Sequence, residues 1–195
     1  MAHIDYFFSL LSPWAYFAGN RLEEIAKARD ATVAYKPVDV FRVFRETGGV
    51  PLPERPVARR EYREQELRRT SANTGMPYHF QPAHWPTDPV PASLAVISAA
   101  QAGGPAGPLA QALLAAVWTE QRDIAAPAVI TEKLKAVGAD FEVGRDDDAL
   151  RAVFEQNTDE ALRRGVFGVP FYIVGDERFW GQDRLQDLDA HLARI

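Results

Sequence analysis

The chain has 195 residues, 47% of them hydrophobic, which is enough apolar material for one sizeable core. A formal charge of −5 excludes the broad basic footprint of a nucleic-acid binder. The absence of cysteine excludes disulfides, zinc–thiolate sites and any thiol nucleophile belonging to the protein itself. In chain order, residues 3–9 read as a buried strand, with Ile4, Tyr6 and Phe8 alternating with Asp5 and Phe7. Ser12-Pro13 is a helix start, because serine can cap and proline suits the first helical position. Apolar residues then keep helical spacing from Trp14 to Ala26, predicting one helix to about Arg29. Val33, Tyr35 and Val38 predict a second strand ending near Pro37, so the first 40 residues spell a βαβ start.

Residues 47–58 are rich in glycine and proline and predict a loop. Residues 58–73 mix arginine with glutamate and predict a solvated helix. Residues 75–91 carry five prolines and predict a long irregular segment, a type that is often functional. Helices are expected over 92–101, 106–122, 127–137 and 146–164, the second strongly apolar and the last capped within Asp146 to Asp148. Phe171 to Val174 predict a short strand, Gly175-Asp176 a turn, and Arg178 to Trp180 the return strand. Asp183 then opens a terminal helix with Leu185, Leu188 and Leu192 on one face. The layout predicts one α/β unit (residues 1–46 and 165–195) interrupted by a helical insertion (residues 47–164). The start MAHIDYFFSLLSPW has no basic segment before its apolar run, and no stretch of 18 apolar residues occurs. A cytoplasmic protein with no membrane or nucleic-acid partner is therefore expected.

Two segments stand out chemically: Ser12-Pro13-Trp14-Ala15-Tyr16 at a strand-to-helix junction, and Gly168-Val169-Pro170 directly before a strand, where the proline is a candidate for a cis peptide. Together with AVWTEQRDI in the helical block and the long run VFGVPFYIVGDERFWGQDRL, they carry a resemblance. The chain resembles the thioredoxin superfamily, and more closely the 2-hydroxychromene-2-carboxylate isomerases and their kin, the kappa-class glutathione transferases. The resemblance runs in order along nearly the whole chain.

The resemblance implies a thioredoxin-like fold with a large α-helical insertion, a homodimer, and glutathione as the cofactor. It implies interconversion of a hydroxychromene carboxylate with trans-o-hydroxybenzylidenepyruvate by conjugate addition of the glutathione thiolate, rotation about the single bond so formed, and loss of the thiolate. Ser12 is then the catalytic residue, and Val169, Pro170, Trp180, Gly181, Gln182 and Asp183 join it in holding glutathione. Arg42, Phe44, Arg45, His84 and Trp85, with Phe41 beside them, are the candidates for a small aromatic carboxylate substrate. No metal is called for. A hydroxyl donor suits this task, since a cysteine-type thiol has a pKa of roughly 8.5 and a hydrogen bond to a charged group contributes about 1.5–3 kcal/mol, or about one to two pKa units.

Local readings compete with these roles. Ser12 also reads as a plain cap, whose single proton cannot serve two partners. Phe41 and Phe44 also read as core, His84 as a polar loop residue, Asp183 as a helix cap and Arg184 as a surface ion pair. Thr47-Gly48-Gly49-Val50-Pro51 departs from the family loop, with Gly49 where relatives carry asparagine; a family lysine is also missing, for which Arg59 or Arg60 can substitute. Two other functions remain open: a kappa-like transferase that releases a conjugate, and a non-catalytic thioredoxin-fold binding module.

Overall fold

A computed structural model describes residues 1–139 and 147–195. Strand β1 (His3–Phe8) is buried on both faces, as befits the interior of a sheet. It pairs in parallel with β2 (Thr32–Pro37) and antiparallel with β3 (Phe171–Val174). Strand β4 (Glu177–Trp180) closes the order β2-β1-β3-β4 by pairing antiparallel with β3. The shared register puts Tyr6 opposite both Tyr35 and Tyr172, and the Tyr6 and Tyr172 rings stack with centroids 5.0 Å apart.

The single helix expected after Ser12 is two. Helix α1 (Pro13–Ala18) stops at Gly19, whose φ of 58° lies outside the helical region, and α2 (Arg21–Ala28) restarts the run. Apolar spacing continues across the break, so periodicity alone did not reveal it. Arg21 satisfies the freed carbonyls of α1, donating from Nη2 to Phe17 O at 2.9 Å and from Nε to Ala18 O at 3.1 Å. Helix α3 (Val40–Thr47) was not anticipated, although its signals are present: Asp39 accepts from Phe41 N and Arg42 N, and Gly48 ends it in the left-handed region.

Helix α4 (Val57–Thr74) follows, then an irregular segment over 75–89, then α5 (Val90–Gln101) and α6 (Ala106–Trp118). Helix α6 ends before residue 122, because Thr119 and Glu120 both donate to Ala115 O and Gln121 turns to a φ of 55°. Helices α7 (Pro127–Ala136) and α8 (Asp148–Arg163) come next; Asp147 caps α8, and the expected start at Asp146 lies outside the described residues. Asp183 sits in a short 3₁₀ turn (Gln182–Arg184), so the terminal helix α9 (Leu185–Leu192) begins later than expected.

The sheet divides the apolar interior. On one face Ile4, Tyr6 and Phe8 join Val96 of α5, Leu109, Leu113 and Trp118 of α6 and Leu188 of α9 in one cluster, so the central helices share a core with the sheet. On the other face Phe7, Phe171 and Ile173 pack with Val43 of α3 and Ala161 of α8. Helix α8 thus lies beneath the sheet, against α3 and β2. Among the described residues, no helix is long and apolar enough to cross a membrane.

Asp5, 8% exposed, ties three elements together: it pairs with Lys36 Nζ of β2 at 2.8 Å and with Arg164 Nη1 after α8 at 2.5 Å. Burial pushes its carboxyl pKa up, but hydrogen bonds and charge from Arg164 and Lys36 outweigh that and hold it below the usual value. Gly107 of α6 admits a second polar pair: Tyr35 Oη donates to Glu23 Oε1 at 2.8 Å, and a Cβ on Gly107 would collide with both groups.

Asp5→Asn removes the more buried carboxylate from Lys36 and Arg164, which keep Glu160 at 2.7 Å and 3.1 Å, and is expected to lower stability by about 1–2 kcal/mol in chemical denaturation. The folded-state pKa is depressed, so the Asp5 contribution is complete above about pH 4 and fades as pH falls through the folded value. The stability difference between wild type and Asp5→Asn is therefore expected to narrow in acid. Gly107→Ala is expected to cost about 1–3 kcal/mol by overpacking, read as a lower melting temperature.

Candidate active site

Ser12 lies at the corner where β1 turns into α1 and is 8% exposed. Its Oγ accepts from Ala15 N at 3.2 Å, the cap the local sequence predicts. The hydroxyl proton is directed elsewhere, to Val169 O at 3.4 Å. Capping uses an oxygen lone pair and donation uses the proton, so the cap and a donated hydrogen bond share Ser12 without competing for that proton. At 3.4 Å the bond to Val169 is near the outer limit for a hydroxyl donor and is a weak one.

The Val169-Pro170 peptide is cis, and its loop faces Ser12 across β1 and β3. Pro170 O accepts from Gly181 N at 2.9 Å, which joins this loop to the end of β4. Gly181 has a φ of 108°, where a side chain would be strained. Gly168 is needed for a different reason: the Trp180 indole lies across it, and a Cβ there would sit 2.8 Å from Trp180 Nε1. Trp180 is 52% exposed and packs edge-on against Phe167 at 4.8 Å. Gln182 Oε1 accepts from Arg21 Nη2 at 2.5 Å, so the break between α1 and α2 also fixes the Gln182 amide. Asp183 is exposed and pairs with Arg184 at 3.2 Å.

Two clefts flank α4. One, of about 630 Å³, has Val169 and Trp180 to Asp183 on one side and Trp14, Arg55, Arg59 and Arg63 on the other. The second, of about 570 Å³, is walled by Leu52, Phe80, Trp85 and Trp118, with Arg60 and Arg63 on its α4 side. Trp85 is held against the Ser12 corner by donation from its Nε1 to Leu11 O at 3.1 Å. Leu11 thus meets the wall of one cleft while Trp14 lines the other, and Ser12 lies on the chain between them.

The expected substrate residues fall in different places. Trp85 lines the apolar cleft. Arg42 is bound in three ion pairs, to Glu46 at 2.9 Å, Asp159 at 2.7 Å and Glu155 at 3.3 Å, which fasten α3 to α8. Arg45 and His84 are exposed, and neither they nor Phe41 line these clefts. Phe44 packs against the second apolar cluster, with the Arg55 guanidinium over its ring at 5.9 Å. Its ring also accounts for Gly49, since a Cβ at that position would come within 2.5 Å of Phe44 Cδ1. With Arg55 Nε donating to Val50 O at 2.7 Å, this loop aims Arg55 at the polar cleft.

Sequence reading missed Arg21, Arg55 and Arg63. Arg63 is half-buried; desolvation and the nearby positive charge of Arg55 lower its pKa to about 10, still cationic at neutral pH. The mixed charges of α4 read as solvated surface, and only the position of the helix over the two clefts gives its arginines a site.

Comparison with known proteins agrees with this architecture. The family model of the DSBA-like thioredoxin domain matches residues 3–193. A 2-hydroxychromene-2-carboxylate isomerase from Pseudomonas putida is 31% identical over 196 residues, spanning 98% of this chain and 95% of the relative. A solved 2-hydroxychromene-2-carboxylate isomerase structure superposes with a TM-score of 0.75 at 28% identity, covering 98% of this chain and 95% of the other. A kappa 2 glutathione S-transferase from Caenorhabditis elegans is 23% identical over 97% of this chain and 91% of its own length. The chain belongs to the DSBA-like thioredoxin-domain family, and within it to the 2-hydroxychromene-2-carboxylate isomerases.

Proposed function

We propose that this protein is a glutathione-dependent isomerase that interconverts 2-hydroxychromene-2-carboxylate and trans-o-hydroxybenzylidenepyruvate in aromatic-compound degradation. The observation that carries the reading is the Ser12 hydroxyl, whose proton is weakly engaged at 3.4 Å at a corner flanked by Trp14, which lines the polar cleft, and Leu11, which holds Trp85 of the apolar one.

The residues fit glutathione by charge. The tripeptide carries one ammonium and two carboxylates. The polar cleft is lined by carboxylates of Asp183 and Glu66 and by the guanidinium groups of Arg55 and Arg59. In this reading the Val169 backbone pairs with the cysteinyl unit as an added strand, Pro170 shapes the loop, and Trp180, Gly181 and Gln182 form the floor beneath the γ-glutamyl end. Glutathione, when bound, supplies the sulfur nucleophile that a chain without cysteine lacks.

Ser12 turns its proton from Val169 O to that sulfur, exchanging a long hydrogen bond for a charge-assisted one, while its lone pair keeps the cap on Ala15 N. Helix α1 has only six residues, so stabilisation of the sulfur charge falls mainly on this hydroxyl rather than on a long helix dipole. Trp85 and Phe80 take the flat ring of the substrate and exclude water from it, and the Trp85 anchor on Leu11 holds that ring beside the corner.

A kappa-like transferase shares this site and is favoured by the likeness to the nematode kappa enzyme. It differs in consuming glutathione. The family resemblance is also what supports a cytoplasmic homodimer.

With the hydroxychromene carboxylate as substrate, total free thiol is expected to stay constant through many turnovers; its stoichiometric loss assigns the transferase instead. Ser12→Ala is expected to raise the pKa of bound glutathione by about one to two units in an ultraviolet titration, and to lower kcat roughly 10- to 100-fold at pH 7. That deficit shrinks as pH rises, because solvent then ionises the sulfur without help. Kinetics of Ser12→Ala equal to wild type at pH 7 would overturn the role of Ser12.

A further inference from the structure

Arg63 alone among the arginines of α4 lines both clefts, reaching the polar one beside Arg55 and Arg59 and the apolar one beside Trp85 and Phe80. Among the described residues it has neither a hydrogen bond nor an ion pair, although its side chain is half-buried. Arg59 and Arg60 likewise carry no hydrogen bond or ion pair among the described residues, but each lines only one of the two clefts. Arg55 is tied to Val50 O and stacked over Phe44. Arg42, the cation that sequence reading favoured for the substrate, is consumed by Glu46, Asp159 and Glu155 on the far side of α3.

A half-buried guanidinium without an anion is costly, and a second guanidinium nearby makes it costlier, as the lowered pKa of Arg63 records. The expense is relieved when a carboxylate arrives. Glutathione brings two carboxylates, which Arg55 and Arg59 suffice to meet. The second cleft brings Arg63 an occupant of another kind: Trp85, Phe80 and Leu52 offer a surface for a flat apolar body, while Arg60, Glu61 and Glu64 also line it, so Arg63 is the cation there that reaches both clefts.

We propose that Arg63 is the specificity-determining residue for the second substrate: it pairs with the carboxylate of an aromatic acid whose ring lies against Trp85 and Phe80, and so restricts the apolar cleft to anionic aromatics. The inference rests on the isomerase reading and adds to it the group that selects the acid. Arg63 thereby also fixes the orientation of the ring, with its charged end toward α4 and its body against the wall that Leu11 anchors beside Ser12.

The test is calorimetry with an unreactive pair of probes, 2-naphthoate and its neutral methyl ester, on the full chain in the presence of saturating glutathione. Wild type is expected to bind the acid at least 10-fold more tightly than the ester. Arg63→Gln is expected to lose roughly 10- to 100-fold in affinity for the acid and to change less than about 2-fold for the ester, while Arg63→Lys retains most of the preference. Glutathione affinity, measured separately, is expected to fall by a smaller factor than acid affinity, since Arg63 lines the polar cleft as well. An acid affinity unaltered by Arg63→Gln overturns the proposal, as do equal losses for acid and ester, or a loss confined to glutathione. A wild type without preference for the acid overturns it as well. Failure of the isomerase reading appears differently: acid binding that depends on Arg63, with no turnover of the hydroxychromene carboxylate.

Discussion

The pairing of β1 with β3 is the constraint on which the site depends. Tyr6 lies opposite Tyr172 and Phe7 opposite Phe171, and this antiparallel register joins residues more than 160 positions apart in the chain. Both faces of the pair are buried, with the tyrosine stack on one side and Phe7 and Phe171 on the other. A slip of one residue would exchange those faces, so the register is strongly specified. Because it is, the corner after β1 and the loop before β3 meet at one end of the sheet, and the Ser12 hydroxyl finds the Val169 carbonyl.

Around that meeting point the chain uses small residues to admit large ones. Gly168 lets the Trp180 indole cross the loop, Gly181 accepts a φ of 108° while donating to Pro170, and Gly49 leaves room for the Phe44 ring. Gly49 thus admits the Phe44 ring, over which Arg55 stacks while donating to Val50 O and lining the polar cleft. Arg21 does similar work from the opposite side, closing the end of α1 and holding the Gln182 amide.

The division of labour within Ser12 explains how a residue can serve structure and chemistry together. Its oxygen accepts the Ala15 N–H while its proton points to Val169 O, so the cap does not use the proton. Helix α4 shows the complementary arrangement. Its length is exposed, with Leu67 and Thr70 its only buried residues, so packing constrains few of its side chains. Its position beside both clefts puts Arg59, Arg60 and Arg63 in their lining.

The sequence alone determined the four strands and the corner, but not helix α3 or the break at Gly19. Alternating apolar residues in β1, the Ser12-Pro13 helix start, and the Val169-Pro170 segment ahead of a strand are local signals, set by backbone sterics and by burial of one face. The absence of cysteine settled that any attacking sulfur must come from outside. Tertiary structure decided which charges are spent and which remain. Arg42 and Arg63 look alike in sequence, yet three carboxylates surround the first and none pairs with the second among the described residues. Two of those three partners come from α8, distant in the chain, and a guanidinium carries no mark of its eventual neighbours. Only the packing of α3 on α8, and of α4 across the two clefts, sorts a structural arginine from one available to a ligand.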